Sequence, residues 1–122
     1  MSELGDKLKT RTKDFALRII SMTNALSRTY AGKALGQQVL RSATSIGANY
    51  REAYRARSPA EFLSKMGDCL RQLEETGYWL ELIEEAKLLA PAKLSSLRSE
   101  VSELTAIFVT VIKKKRRPPL NF

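Results

Sequence analysis

The chain has 122 residues, of which 43% are hydrophobic and 28% are charged, a balance that predicts one packed domain rather than a disordered chain. Its apolar runs fall far short of the roughly 20 residues of a membrane-spanning helix, and its N-terminus is too polar for a secretory signal. With one cysteine it has no disulfide framework, so we expect a cytoplasmic protein without a membrane span.

The formal net charge of +8 is distributed unevenly along the chain. Residues 1–57 carry +7, residues 58–112 carry −4, and the run "KKKRR" at 113–117 carries +5. A basic first half and an acidic second half predict ion pairs within the chain or between copies of it. The terminal run has no acidic neighbours, so it is the better candidate for binding an external polyanion.

Apolar residues recur at steps of three and four along most of the chain, which is the pattern of amphipathic helices. In the first helix Phe15, Ile19, Met22 and Leu26 form this stripe. The predicted helices span residues 6–27, 31–56, 59–87 and 91–116.

The connections between these helices are short. Ser58 is a predicted N-cap, Pro59 suits the first helical position, and Glu61 completes a capping box. Short turns join antiparallel neighbours, so the sequence predicts an all-α fold, an up-down-up-down antiparallel four-helix bundle in residues 1–117. Residues 118–122 are predicted to be a short flexible tail.

Helices two and three carry more apolar surface than one bundle face requires. A second strip on helix two includes two glycines, and a mid-helix glycine such as Gly47 indicates close approach of another backbone. Exposed aromatic and apolar strips are typical of contact surfaces, so we predict self-association. The alternative is a wide core face with aromatic rims. The predicted subunit interface comprises Leu40, Ala43, Gly47, Tyr50, Tyr54, Trp79 and Leu82.

Catalytic and metal-binding residue types are scarce. The chain has no histidine, which removes the commonest metal ligand and general base. Cys69 falls on the apolar stripe of helix three and reads as a small buried side chain. The glutamates of that helix point mostly outward, as a solvated face does. We therefore predict no enzyme activity, no metal site and no cofactor.

Arg51, Arg55 and Arg57 crowd the end of helix two, where two interpretations remain open. Arg51 would lie near Asp68 and Arg55 near Glu61 on helix three, which allows internal ion pairs; the alternative is an external anion. Together with the terminal run they form the candidate nucleic-acid-binding set: Arg51, Arg55, Arg57, Lys113, Lys114, Lys115, Arg116 and Arg117.

The blocks "SIGANYREA", "RARS" and "EETGYWLEL" within residues 37–83 resemble the bacterial four-helix-bundle family of 23S rRNA intervening-sequence proteins. The resemblance implies a four-helix protomer, assembly into a closed homopentamer, and an association with nucleic acid. In the family pattern Ser45, Asn49 and Glu52 recur on one face of helix two. We interpret them as a polar seam at a helix or subunit contact, with a ligand-binding role as the alternative.

Three functional hypotheses follow. The first is a non-enzymatic oligomeric protein associated with nucleic acid, RNA in preference to DNA, through its basic surface and terminal run. The second is a protein-binding scaffold or accessory subunit with no direct nucleic-acid contact. The third places the basic C-terminal helix on an anionic membrane surface.

Overall fold

The computed structural model describes residues 2–117, which form four α-helices and one short 3₁₀ turn and contain no β-strand. The helices are α1 (Glu3–Asn24), α2 (Tyr30–Tyr54), α3 (Pro59–Glu85) and α4 (Ser95–Arg116), and the 3₁₀ turn is Pro91–Lys93. The predicted tail at 118–122 lies outside the described residues. None of the helices described is long and apolar enough to cross a membrane.

The N-terminal ends of the first three helices are fixed by side-chain caps. The Ser2 hydroxyl accepts a hydrogen bond from the Gly5 N–H at 3.0 Å, so α1 begins three residues earlier than the apolar stripe indicated. Thr29 caps α2 through Gly32, and Ser58 caps α3 through Glu61, both at 3.1 Å. The fourth helix starts later than predicted because residues after Pro91 form the 3₁₀ turn first.

Consecutive helices run antiparallel and bury one apolar stripe each. The Ser42 and Thr76 hydroxyls hydrogen-bond between α2 and α3 at 2.8 Å in the interior, and the Cys69 thiol contacts the Ile46 carbonyl at 3.6 Å. Burying a large apolar side chain stabilises a fold by about 1.5–3 kcal/mol. Completely buried members of the core include Phe15, Ile19, Val39, Ile46, Met66, Leu73, Leu80, Ile83, Leu94, Leu104 and Phe108.

The small-residue strip of α2 faces α1 within the same chain, which corrects part of the predicted subunit interface. A Cβ added at Gly47 would lie 3.4 Å from the Thr12 hydroxyl oxygen of α1. Ala43 is completely buried, and Tyr50 is 4% exposed and donates its hydroxyl proton to the Gly5 carbonyl at 2.9 Å. Ala43, Gly47 and Tyr50 therefore pack against α1 instead of offering a surface to a second copy. The small volumes of Ala43 and Gly47 serve helix packing inside the protomer.

The first and last helices are joined by an ion pair. Arg11 donates from Nε and Nη2 to the two carboxylate oxygens of Glu100, at 3.1 and 2.6 Å. This hydrogen bonding raises the pKa of Arg11, so the guanidinium stays charged. A bidentate ion pair constrains the relative orientation of its two partners as well as pairing their charges. Here it holds α1 against α4.

Two glycines of α2 test this packing. Replacing Gly47 with alanine places the new Cβ at ordinary contact distance from Thr12, and alanine favours a helix by up to about 1 kcal/mol. Gly47→Ala should therefore leave the free energy of unfolding unchanged or raise it by up to that amount. At Gly32 a Cβ would overlap the Ser27 carbonyl, so Gly32→Ala should lower it by about 1–3 kcal/mol. Urea denaturation followed by circular dichroism measures both, and equal effects would contradict the packing described.

Candidate functional site

The eight candidate nucleic-acid-binding residues lie at one end of the bundle, called here the basic end. It is the end at which α1 and α3 begin and α2 and α4 end. Arg51, Arg55 and Arg57 reach it at the end of α2, and residues 113–117 reach it at the end of α4. Arg57 and Lys115, which are 58 positions apart, line the same cavity there. Antiparallel packing has joined two segments that are distant in the sequence.

The cations of this set are exposed and make no salt bridge among residues 2–117. Asp68, the predicted partner of Arg51, pairs with Arg71 on its own helix. Glu61, the predicted partner of Arg55, accepts the backbone N–H of Arg57 at 3.4 Å. The interpretation of these arginines as internally ion-paired is therefore wrong, because local donors, the Arg71 guanidinium on α3 and the Arg57 backbone N–H in the loop, bind the two carboxylates instead.

Charge is concentrated at this end more than at the other. Residues 2–9, 50–61 and 110–117 contain ten Lys and Arg against four Asp and Glu. At the opposite end, residues 18–37 and 79–98 contain six against three, spread over more residues. The basic end therefore has the stronger positive field, and a polyanion would be attracted to it first.

A cavity of about 380 Å³ opens at the basic end between all four helices. Leu8, Tyr50 and Ala53 form its buried floor, and Phe62 with Val111 forms its half-buried walls. The ammonium group of Lys115 lies 5.7 Å from the centre of the Phe62 ring, where a cation is attracted by the ring face. The cavity is thus apolar inside and cationic at its rim.

The two tyrosines of the cavity keep their protons at neutral pH. Burial raises the pKa of Tyr50 to about 12, with smaller contributions from neighbouring acidic groups. The pKa of Tyr54 is raised first by its hydrogen bond to the Asp6 carboxylate, at 2.6 Å. Because both hydroxyls already donate to the protein, the two side chains offer the cavity mainly ring surface.

The polar seam of α2 contacts α3 through Glu52. The Ser45 hydroxyl donates to the Arg41 carbonyl of its own helix at 2.7 Å, and Glu52 pairs with Lys65 of α3 at 3.2 Å. Asn49 is half-buried, and within the described range its side chain makes no protein hydrogen bond. A helix contact within the protomer accounts for Glu52, whereas the Ser45 hydroxyl, among the residues described, bonds only to its own helix.

Four residues of the predicted subunit interface remain accessible. Leu40, Tyr54, Trp79 and Leu82 are half-buried. The Trp79 indole donates to Glu75 at 3.3 Å, and its ring lies 5.3 Å from the ring of Tyr78, which is 53% exposed. An aromatic pair with an acidic neighbour therefore stays on the outer surface of α3, and the prediction of an interface continues to apply to that surface.

Reactive chemistry is sparse in the part of the chain that the structure describes. Cys69 is completely buried, and desolvation raises the pKa of its thiol to about 12, which keeps it protonated at neutral pH. Between residues 2 and 117 no cluster of three or more potential metal ligands occurs. The absence of enzyme activity stays a prediction.

The family model described as "23S rRNA-intervening sequence protein" matches residues 7–110, which is most of the chain and includes α2, α3 and the greater part of α1 and α4. The chain belongs to this family. A crystal structure of a protein of unknown function from the S23 ribosomal protein family of Bacteroides thetaiotaomicron is 33% identical. The match covers 89% of this chain and 97% of that one, with a TM-score of 0.83. No curated protein matches the chain.

These comparisons confirm the resemblance inferred from the sequence blocks on α2 and α3. They extend it to the fold, because the structural match covers nearly the whole bacterial relative. Sequence reasoning missed the cavity, whose walls combine Leu4, Phe62 and Val111 from three helices. Each of these residues reads as an ordinary member or edge of an apolar stripe, so only the assembled bundle reveals what they enclose.

Alkaline pH tests the burial of Tyr50. An exposed tyrosine loses its proton near pH 10, whereas folded Tyr50 keeps it until about pH 12. Burial of the protonated Tyr50 hydroxyl therefore contributes to the free energy of unfolding. This contribution is fully present below pH 10 and is lost as the pH rises toward 12. Cys69 acts in the same direction from about pH 9. Urea denaturation at pH 8 and pH 11 should show a smaller loss in Tyr50→Phe than in wild type; equal losses would contradict the burial.

Proposed function

We propose that the protein is a non-enzymatic, oligomeric bundle that associates with nucleic acid, RNA in preference to DNA, through its basic end. The observation that supports this most is the convergence there of eight exposed cations, none of which makes a salt bridge among the described residues. Isolated like charges one turn apart repel, so such a cluster favours a polyanionic partner.

The mode of binding follows from what surrounds these cations. The basic end carries flexible lysines and arginines on helix ends, without a helix or ribbon shaped to enter a major groove. Contacts with phosphates would determine the affinity for nucleic acid, and the shape of the nucleic acid would determine which molecules are preferred. Single-stranded or looped RNA suits such a surface because its backbone can follow an irregular arrangement of charges.

Self-association would strengthen this binding. A closed ring, a pentamer as the family resemblance implies, would present several basic ends to one nucleic-acid chain. Each protomer contributes a net charge of +8, and linked weak contacts gain affinity through effective concentration. The accessible surface around Trp79 and Leu82 is one part of the predicted interface that the protomer leaves available.

A protein-binding scaffold is the second candidate function. It is favoured by the exposed Tyr78 and the half-buried Trp79 and Leu82 on the outer face of α3, with Glu74, Glu81 and Glu85 on the same helix. In this case the terminal basic run would be dispensable, and binding of the partner would depend little on salt.

Removing charge from the basic end should weaken RNA binding. The variant Lys113→Gln, Lys114→Gln, Arg116→Gln, Arg117→Gln should bind a structured RNA at least about 10-fold more weakly at low salt. Its plot of log affinity against log salt should also be shallower, because each lost phosphate contact removes about 0.7–0.9 from the slope. Filter binding at rising salt measures both.

The matched control removes four exposed charges from the opposite end: Arg28→Gln, Lys33→Gln, Lys87→Gln and Lys93→Gln. The control variant lowers the net charge by the same amount as the first variant. If the position of the charges matters, it should lose far less affinity for RNA. Equal losses in the two variants would contradict a localised site. If the wild-type protein retains no RNA on the filter even at low salt, the proposed association with nucleic acid is contradicted. The protein-binding scaffold would then be the remaining candidate function.

Oligomerisation is measured by light scattering. We expect a mass several times the 13.7 kDa of one chain, five times for the closed pentamer. Leu82→Lys should shift the mass toward one chain, because a charge would be buried in the contact. Ser64→Lys, at an exposed position of the same helix, should not. A wild-type mass of 13.7 kDa would contradict self-association.

A further inference from the structure

We propose that the cavity at the basic end binds one unstacked base of single-stranded RNA, with the neighbouring phosphates held by Arg57 and Lys115. The inference rests on the proposed function and specifies how the RNA is engaged. It starts from a combination found at this end of the bundle: an apolar cavity of about 380 Å³ with two cations on its lining. Small-molecule sites commonly have volumes of about 300–1,000 Å³.

The interior of the cavity suits the faces of a flat ring. It is lined by aliphatic and aromatic side chains from all four helices, including Leu4, Leu8, Ala53, Pro59, Phe62 and Val111. Tyr50 and Tyr54 add ring surface, with centroids 6.3 Å apart and planes inclined at 58°. Contact between bases and aromatic side chains is a common means of holding single strands.

The polar groups of the cavity favour base binding without much sequence preference. The Tyr50 hydroxyl is committed to the Gly5 carbonyl and that of Tyr54 to Asp6. The hydroxyls of Ser2 and Ser58 already accept the capping N–H groups of α1 and α3, which leaves each one proton to donate. Few groups therefore read the edge of a base, and we expect different bases to be accepted.

The electrostatics of the rim favour phosphate beside the base. Arg57 and Lys115 line the opening, and Lys9 lies nearby, with its ammonium group 4.8 Å from the Tyr54 ring centre. The nearby carboxylates of Asp6 and Glu61 are engaged: Asp6 accepts the Tyr54 hydroxyl, and Glu61 accepts the backbone N–H of Arg57 in the loop before α3. Phosphates flank every base in a strand, so one nucleotide with its neighbours can satisfy both the interior and the rim.

The test compares two single-stranded RNAs with the same backbone. One is a decamer of uridine, whose bases stack weakly on one another, and the other is the same decamer with three central abasic sites. Fluorescence anisotropy on the full chain gives the ratio of the two affinities. Wild type should bind the intact decamer about 10-fold more tightly, since each base stacked on protein contributes substantially to affinity.

Filling the cavity should abolish this preference while sparing the charges. Ala56→Leu places a larger apolar side chain on the cavity lining and should bring the ratio close to one, with the salt dependence unchanged. Ala48→Leu, an equal change at an exposed position of α2 away from the cavity lining, should keep the wild-type ratio. Phe62→Leu removes the aromatic wall and should also reduce the ratio; it provides an independent test if Ala56→Leu perturbs folding.

The outcomes separate this inference from the proposed function. If wild type binds both decamers equally with a steep salt dependence, the base site is overturned and the association with RNA stands. A ratio near one together with saturable binding of octanoate by NMR would assign the cavity to a different apolar anion and also overturn the inference. An unchanged ratio in both Ala56→Leu and Phe62→Leu would overturn it as well. No binding of either decamer would overturn both proposals.

Discussion

Burial of one apolar stripe from each of four antiparallel helices is the interaction on which the rest of the structure depends. It orients every helix about its own axis and so decides which side chains face solvent. Small residues on α2 let α1 approach closely, and Gly47 lies against Thr12 at this contact. The Arg11–Glu100 pair then sets α4 beside α1. The surface features at the basic end follow from this packing.

The charged residues at the basic end match the dipoles of the helices that begin and end there. Cations at the ends of α2 and α4 interact favourably with the helix dipoles, whose C-terminal ends are negative. Glu3, Asp6 and Glu61 lie in the first turns of α1 and α3, where carboxylates are stabilised for the same reason. Antiparallel packing places these four helix ends together. The acids are engaged in local hydrogen bonds and ion pairs, so the excess charge that reaches solvent is positive.

The cavity results from a different aspect of the same packing. Four helix ends meet at the basic end, and the side chains there do not fill the space between them. Tyr50 closes the floor because its ring packs against Phe108, with centroids 5.7 Å apart, while its hydroxyl bonds to the start of α1. An apolar interior under a cationic rim is the combination from which the proposal of base binding arises.

Much of the fold was predictable because helical periodicity and capping are local properties. The stripe through Phe15, Ile19 and Met22 predicted a buried face, and Ser58 with Pro59 predicted the start of α3; the structure confirms both. The second strip of α2 was interpreted wrongly in part. Ala43, Gly47 and Tyr50 indicated a close neighbour, but sequence spacing does not distinguish a helix of the same chain from a helix of a second copy.

The sequence by itself determined the helices, their antiparallel order and the presence of a strongly basic terminal run, because each depends on residues within a few turns of one another. Family membership was also readable from contiguous blocks. Only the tertiary structure decided that Arg51, Arg55 and Arg57 make no salt bridge within residues 2–117, and that Arg57 and Lys115 share one cavity. These outcomes depend on competition among distant side chains for partners and on the angles at which helices pack, and neither is encoded in local spacing.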